Sequence, residues 1–283
     1  KRMNLYAVKA LLARVYLYAG NKIEAANYAK QVIDSKQFDF VADVADLQRS
    51  KEIVFSICVD DFDLQVKEEF GTNGSYYVST MNFLYEMFDV THDGTNDFRI
   101  REGVSFDFAL NGITTRKYRQ ENMWSSTEGT VVLIRLAEMY LIAAEAWNEY
   151  GGNNAKVYKN LNVIRKRAGI PDVEVSWKNA KDKSKVTEQN GLREIIQQEW
   201  NVEFAFEGMR FWNLRRWKTA NIELNEKLYG WNVAGNRAET FYNNGKGPVI
   251  VYSGNTFVAP RDYFWPIRSE EAITSGCVQN PGW

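Results

Sequence analysis

Apolar residues recur at intervals of three and four along the first part of the chain. In residues 3–19 they lie on one helical face, which predicts an amphipathic helix with that face buried. Gly20 follows, at the position where a left-handed residue commonly ends a helix. Residues 21–35 repeat the spacing, so we expect a helical hairpin over about 3–34. Its inward positions are Leu5, Val8, Leu12, Val15, Ala19, Ile23, Ala26, Val32 and Ile33.

The same spacing returns twice further along. Residues 131–150 and 154–169 predict a second hairpin over about 131–168, and residues 192–206 and 209–220 predict a third over about 192–220. Small residues followed by an aromatic residue and a glycine occur in the first two, in the order of a tetratricopeptide repeat. In the second hairpin these positions are Ala143, Ala144, Trp147 and Gly151.

The stretches between the hairpins lack the helical spacing of apolar residues. Residues 52–59 and 113–120 are rich in β-branched or aromatic residues and predict short strands. Polar, Gly- and Asn-rich sequence predicts long loop insertions over about 45–130, 171–190 and 229–263. The fold class that follows is mainly α: tetratricopeptide-like helical hairpins with long irregular loop insertions and a few short strands. We expect residues 1–283 to form one domain.

Composition excludes several classes of function. A net charge of -1 gives no broad basic field for nucleic acid. Two cysteines and one histidine make a disulfide framework, a zinc cluster or a His-based triad improbable, and Cys58 is expected to be buried in its strand. No apolar run is long enough to span a membrane. The chain starts at Lys1 inside a predicted helix, so we interpret it as a fragment whose targeting segment would lie upstream.

Candidate chemistry is sparse. Glu199, Glu203 and Glu207 could supply the two carboxylates of a glycosidase, but the favoured interpretation is that they pair with Arg210, Arg215 and Arg216 across the third hairpin. Asp89 to Asp97 half-match a calcium loop, in which Ile100 takes the place of the usual glutamate. A phosphate-binding loop and a dinucleotide fingerprint are absent from the sequence. We therefore predict no catalytic residue, no metal and no cofactor.

Aromatic residues in the loops are the remaining signal. They lie beside Asn, Ser, Asp or Arg, and a sugar ring can stack on such a ring while its hydroxyls reach the polar neighbours. Loop aromatics also commonly anchor long loops to a frame, which is the alternative for each residue taken singly. The residues concerned are Tyr76, Tyr77, Trp124, Trp177, Tyr229, Trp231, Phe241 and Tyr242.

Five segments together resemble the SusD/RagB family, surface lipoproteins of Bacteroidetes that partner a TonB-dependent outer-membrane transporter. The segments are LLARVYLYAGNKIEAANYAKQVI, LIRLAEMYLIAAEA, LNVIRKRAG, FAFEGMRFWNLRRW and YFWPIRSEEAITSGCVQNPGW. The resemblance spans essentially the whole chain in the family's order, and it implies that this is the C-terminal part of such a protein. Neither Cys58 nor Cys277 matches the family's lipid-modified cysteine, so the lipid anchor is not present in this chain.

The resemblance implies a binding protein, not an enzyme. It implies capture of a glycan at the outer-membrane surface and delivery to a SusC-like TonB-dependent transporter, with a peptide-binding member or a helical protein-interaction scaffold as alternatives. Loop insertions contribute to the ligand surface in the family. We therefore expect Tyr76, Tyr77 and Trp124 to be the main glycan contacts and Trp177 and Trp231 to be weaker ones.

The segment FAFEGMRFWNLRRW, residues 204–217, concentrates aromatic and basic residues around Gly208. Its aromatic residues recur at helical spacing, so they are expected to form hairpin core, and the resemblance likewise implies a structural role. On this interpretation Trp212 is buried and Trp212→Ala should unfold the protein.

Overall fold

The structure is a computed structural model of the chain. It describes residues 3–42, 47, 50–59, 97–100, 106–109, 112–115, 117, 129–151, 153–176, 184–219, 261–264 and 266–280. The chain divides into two compact units, Lys1–Glu207 and Gly208–Trp283. The predicted single domain stays a prediction. Helices predominate and strands are few and short, so the predicted fold class is confirmed.

The first helical hairpin is formed by α1 (Leu5–Tyr18) and α2 (Lys22–Asp34). Each helix begins at an asparagine whose side-chain oxygen accepts hydrogen bonds from amides of the first turn, Asn4 for α1 and Asn21 for α2. Gly20 takes a φ of 85° between the helices, a conformation that a residue with a Cβ adopts only under strain. The predicted hairpin is confirmed.

The buried face of this hairpin is built from small residues. Fully buried alanines on both helices let the two backbones approach closely: Ala7, Ala10, Ala13, Ala25, Ala26 and Ala29. Leu5, Val8, Val15 and Ile23, predicted to point inward, are instead 63%, 43%, 51% and 45% exposed. Ala19, also predicted to point inward, is exposed as well. The predictions for α1 are wrong because this helix is apolar on two faces, and its alanine face packs on α2.

The second hairpin is formed by α3 (Leu136–Tyr150) and α4 (Asn154–Arg167), with Gly151 at a φ of 89° between them. α3 is the central helix of its unit and packs against α2, α4 and α7 (Gln189–Glu203). Its apolar residues are buried nearly all round, as expected for a helix surrounded by neighbours.

The run that precedes α3 is a strand, not the first turns of the helix. β1 (Ile53–Val59) pairs antiparallel with β4 (Gly129–Arg135), with Ile57 opposite Val131. The predicted helical start at residue 131 is therefore wrong, because the run TVVLI is largely β-branched and completes a ladder with β1. The predicted strand at 52–59 is confirmed, although Cys58 is exposed.

Apart from α7, the remaining described elements are short. β2 (Phe106–Ala109) and β3 (Gly112–Thr115) form an antiparallel pair, so the strand predicted at 113–120 is found over part of its length. α5 (Val173–Ser176) and α6 (Ser184–Thr187) lie within the predicted loop 171–190. α7 closes the first unit, and the second contains α8 (Arg210–Trp217) and α9 (Ser269–Ser275).

The aromatic residues of the segment 204–217 are only partly core. Phe204 and Leu214 are buried, with 5% and 1% of their surface exposed. Trp212 is 47% exposed, so the prediction that it is buried is wrong. The reason is local geometry: α8 is only eight residues long and presents Asn213 and Leu214 as its buried side.

Candidate functional site

The polar feature that joins the elements of the first unit is a buried charge network. Its members come from the residue before β1, the turn at 97–100, the turn after β3, the end of β4, the end of α4, and α7 with the turn after it. No member's side chain is more than 9% exposed. The five carboxylates are Glu52, Asp97, Glu199, Glu203 and Glu207, and the five cations are Arg99, Lys117, Arg135, Arg165 and Arg167.

Arg135 is the centre of the network. Its Nη1 donates to Glu52 Oε1 at 2.7 Å and to Glu203 Oε1 at 2.6 Å, while Nε donates to Glu207 Oε2 at 2.8 Å. Its Nη2 donates to the Glu203 carbonyl at 2.7 Å and to Glu207 Oε1 at 2.9 Å. The guanidinium lies 4.1 Å from the centroid of the Phe204 ring. The five hydrogen bonds use all five N–H donors of the arginine, so its side chain is fully satisfied in the interior.

The α7 glutamates continue the network in both directions. Glu203 accepts from Arg167 as well as Arg135, and its other oxygen lies 3.4 Å from Arg99 Nη1. Glu199 accepts from Arg99 Nη1 and Arg165 Nη1, each at 2.8 Å. Successive turns of one helix face are thus tied to β4, to α4 and to the turn at 97–100.

Lys117 closes the network at the end of α7. Its Nζ donates to the carbonyls of Glu203 and Ala205 at 2.7 and 2.9 Å and to Glu207 Oε1 at 2.6 Å. The last carbonyls of a helix lack partners within the helix, and a cation there satisfies them and opposes the helix dipole. Burial lowers the pKa of Lys117, although Glu207 beside it acts in the opposite direction.

The carboxylates of α7 are held ionised. Burial by itself would raise the pKa of Glu203, but Arg167, Arg135 and Arg99 outweigh it and hold that pKa well below 4.5. The pKa values of Glu199 and Glu207 are lowered in the same way, against burial, by Arg99 and Arg165 and by Arg135 and Lys117. A general acid needs a raised pKa, so these glutamates have the properties of structural ion-pair partners.

The expectation that these glutamates pair with arginines is correct in kind but names the wrong arginines. Glu203 and Glu207 pair with Arg99, Lys117, Arg135 and Arg167, and not with Arg210, Arg215 or Arg216. The missed signal is the position of Arg135 inside an apolar run, LIRL. A charge within such a run must be buried with a partner.

The lowered pKa values predict loss of stability in acid. The pKa of Glu203 lies below 4.5 in the folded state. As the pH falls, this carboxylate therefore takes up a proton in the unfolded chain before it does so in the folded chain. This contribution to stability is complete above the unfolded pKa and is lost as the pH drops through it toward the folded pKa. We expect the urea midpoint to fall steeply below about pH 4.5. Glu203→Gln should be less stable at pH 7 and show a shallower acid dependence.

Glu149 provides the control for that experiment. It pairs with Arg193 in a partly exposed ion pair, with side chains 22% and 36% exposed. Glu149→Gln should leave both the pH 7 midpoint and the acid slope close to those of the parent. An acid slope that is the same in Glu203→Gln as in the parent would contradict the assignment.

The predicted ligand residues and most of the calcium half-loop lie outside the residues that the structure describes. Tyr76, Tyr77, Trp124, Trp177 and Trp231 lie outside the described residues and stay predictions. Of the half-loop at 89–97 only Asp97 is described, and both of its oxygens accept from Arg99. Within the described ranges, no group of three or more His, Cys, Asp or Glu residues is arranged to hold a metal ion. Nor does any helix in those ranges have the length and apolar character to cross a membrane.

Comparison with known proteins identifies the family. The sequence model of the SusD family matches residues 59–283. The chain belongs to the SusD family. SusD-like protein P2 of Formosa agariphila is 30% identical to this SusD-family chain over 152 residues, which is 53% of the chain and 25% of that relative. The predicted resemblance is therefore confirmed.

Solved SusD-like structures share the fold. A SusD-like carbohydrate binding protein from Bacteroides vulgatus superposes with a TM-score of 0.60 at 21% identity, covering 76% of this chain and 45% of that protein. A laminarin binding SusD-like protein gives a TM-score of 0.60 at 20% identity, covering 100% of this chain and 63% of that protein. This SusD-family chain thus spans less than two thirds of each of these relatives.

Proposed function

We propose that this SusD-family chain is part of a glycan-binding protein of the outer-membrane surface. It captures an oligo- or polysaccharide and passes it to a SusC-like TonB-dependent transporter. The observation that carries the proposal is the match of the whole chain to the fold of a laminarin binding SusD-like protein, together with membership of the family. On this proposal the mature protein is a lipoprotein anchored through a segment outside this chain.

The charge network supports binding without catalysis. Its carboxylates are each paired with cations, and together they tie α7 to β4 and α4. A frame held in this way gives the intervening loops fixed points of attachment, which suits capture of a ligand by loop residues. The glutamates first considered as an acid–base pair are committed to arginine, so the proposed activity requires no chemistry from them.

Removing the predicted loop aromatics should abolish glycan retention. We expect the triple variant Tyr76→Ala, Tyr77→Ala, Trp124→Ala to lose at least about tenfold in affinity for the best glycan, because each ring provides a stacking face. Trp177→Ala and Trp231→Ala should each have a smaller effect. The measurement is affinity-gel electrophoresis against a glycan panel that includes laminarin, with melting recorded for every variant.

Tyr150→Ala is the matched control. Tyr150 is 59% exposed at the end of α3, outside the predicted ligand loops, so its removal deletes an exposed aromatic ring without affecting retention. Co-purification with the transporter should survive the triple variant. If instead the triple variant binds every glycan as the parent does, the placement of the site is wrong. If the folded parent protein binds none of the glycans, a peptide ligand is favoured. If the triple variant loses only its co-purification with the transporter, a scaffold is favoured.

A further inference from the structure

One arginine of the second unit is held against aromatic rings, and it has no acceptor among the residues that the structure describes. The Arg215 guanidinium carbon lies 4.7 Å from the ring centroid of Phe264, 5.9 Å from that of Tyr263 and 6.0 Å from that of Trp212. In the part of the chain that the structure describes, these ring contacts are its interactions, and neither a hydrogen bond nor an ion pair is formed. We call these four residues the Arg215 platform.

Two other arginines near the platform are already engaged. Arg216 Nε donates to Asn213 Oδ1 at 3.0 Å, and its guanidinium lies 4.8 Å from the Trp217 ring. Arg261 makes two contacts with the Asp262 carboxylate, at 2.6 and 3.0 Å. The unpaired guanidinium is therefore a feature of Arg215 and not of this part of the surface in general.

The rings beside this guanidinium are open to solvent. Trp212 is 47% exposed and Phe264 is 43% exposed, while Arg215 itself is half-buried. The Phe211 ring meets Trp212 edge-on, with centroids 5.6 Å apart and planes at 71°, which fixes the orientation of the exposed indole. An exposed apolar ring face therefore lies beside a cation with free, oriented donors.

The surrounding sequence is basic. Residues 208–219 contain Arg210, Arg215, Arg216 and Lys218 and no acidic residue, in a chain whose net charge is -1. Cations in the last turn of α8 interact favourably with the negative end of its helix dipole, and this interaction accounts for the basic residues at that end. It does not explain the exposed rings, since Lys218 and Arg216 place charge at the same helix end without them.

From this geometry we infer that the Arg215 platform binds an acidic sugar, a pyranose that carries a carboxylate or a sulfate ester. The inference rests on the proposed glycan-binding function and names the class of sugar. A guanidinium binds a carboxylate or sulfate through two parallel N–H donors, and the donors of Arg215 are not taken up by any residue within the described ranges. The C–H face of the same sugar packs on Trp212 or Phe264, as carbohydrate rings do on aromatic side chains.

The test compares Arg215→Gln with Lys218→Gln in the whole chain. Both variants remove one positive charge from the end of α8, but Lys218 is three residues further on and makes none of the ring contacts. Binding of oligogalacturonate, a carrageenan oligosaccharide and neutral laminarin oligosaccharide is measured by calorimetry. We expect Arg215→Gln to weaken acidic-sugar binding about tenfold, and Lys218→Gln to stay within about twofold. Arg215→Lys should recover part of the loss, since it keeps the charge without the planar fork.

Three other outcomes overturn the inference, and they separate it from the proposed function. If Arg215→Gln binds acidic glycans as well as the parent does, the platform is not part of the binding site, and the proposed glycan capture still stands. Equal binding of polyglutamate and oligogalacturonate would show that charge alone is recognised, and not a sugar. If the folded chain binds neither acidic nor neutral glycan, the proposed function fails and this inference fails with it. Preference for oligogalacturonate over carrageenan, or the reverse, then distinguishes carboxylate from sulfate.

Discussion

Arg135→Ala should cost about 3–5 kcal/mol of folding free energy, enough to unfold most of the chain at 37 °C. The side chain is 1% exposed and contacts the carboxylates of Glu52, Glu203 and Glu207. Removing it leaves negative charge in the interior with fewer partners, and it also removes one of the two donors to the Glu203 carbonyl near the end of α7. Far-UV circular dichroism in urea measures the loss, since most of the helical residues that the structure describes lie in Lys1–Glu207.

Arg193→Ala is the control for this experiment. Arg193 also makes a two-pronged contact with a glutamate, through Nε and Nη2 to Glu149 at 2.6 and 2.8 Å, but its side chain is 36% exposed. Water replaces a partner there, so we expect a cost below about 1 kcal/mol. Arg135→Lys should fall between the two, because an ammonium group cannot reach all five acceptors. Equal urea midpoints for Arg135→Ala and Arg193→Ala would refute a central role for the network.

The hairpins could be predicted because their signals are local. Apolar spacing, small residues and a glycine at each turn act within about ten residues, and Gly20 and Gly151 take the left-handed φ angles that such turns need. The face that α1 buries could not be predicted in the same way. Alanines line one side and larger apolar residues the other, so a hydrophobic pattern alone cannot choose between them. The choice is made by α2, whose own alanines allow close approach only to the alanine side.

The partners in the charge network depend on contacts that are distant in sequence. Arg135 and Glu203 are 68 residues apart, and Arg99 and Glu199 are 100 residues apart. Spacing along one helix pointed instead to the nearest arginines, those of α8. The prediction of helix at the start of β4 is wrong for a related reason, since β4 pairs with β1, which lies at least 70 residues earlier in the chain. The Arg215 platform likewise combines α8 with a turn near residue 263, so no local pattern indicates it.

Trp200, and not Trp212, is the tryptophan whose loss should unfold the chain. Trp200 is 1% exposed and lies 5.3 Å from Phe204, centroid to centroid, at an angle of 34°. Phe204 in turn covers the Arg135 guanidinium at 4.1 Å. Trp200→Ala therefore opens a cavity next to the ring that shields the network, and we expect a cost of about 3–5 kcal/mol. Urea unfolding followed by circular dichroism gives the value.

Trp212→Ala removes the same side chain from a position that is 47% exposed. Its cost should be no more than about half that of Trp200→Ala, because much of the indole already contacts water. The pair of variants also separates two roles within neighbouring stretches of sequence: Trp200→Ala should impair folding, whereas Trp212→Ala should leave a folded chain with weaker binding of acidic sugars. A larger loss of stability in Trp212→Ala than in Trp200→Ala would mean that the aromatic residues of α8 are core after all, and the Arg215 platform would then lack the indole face of Trp212 for a sugar.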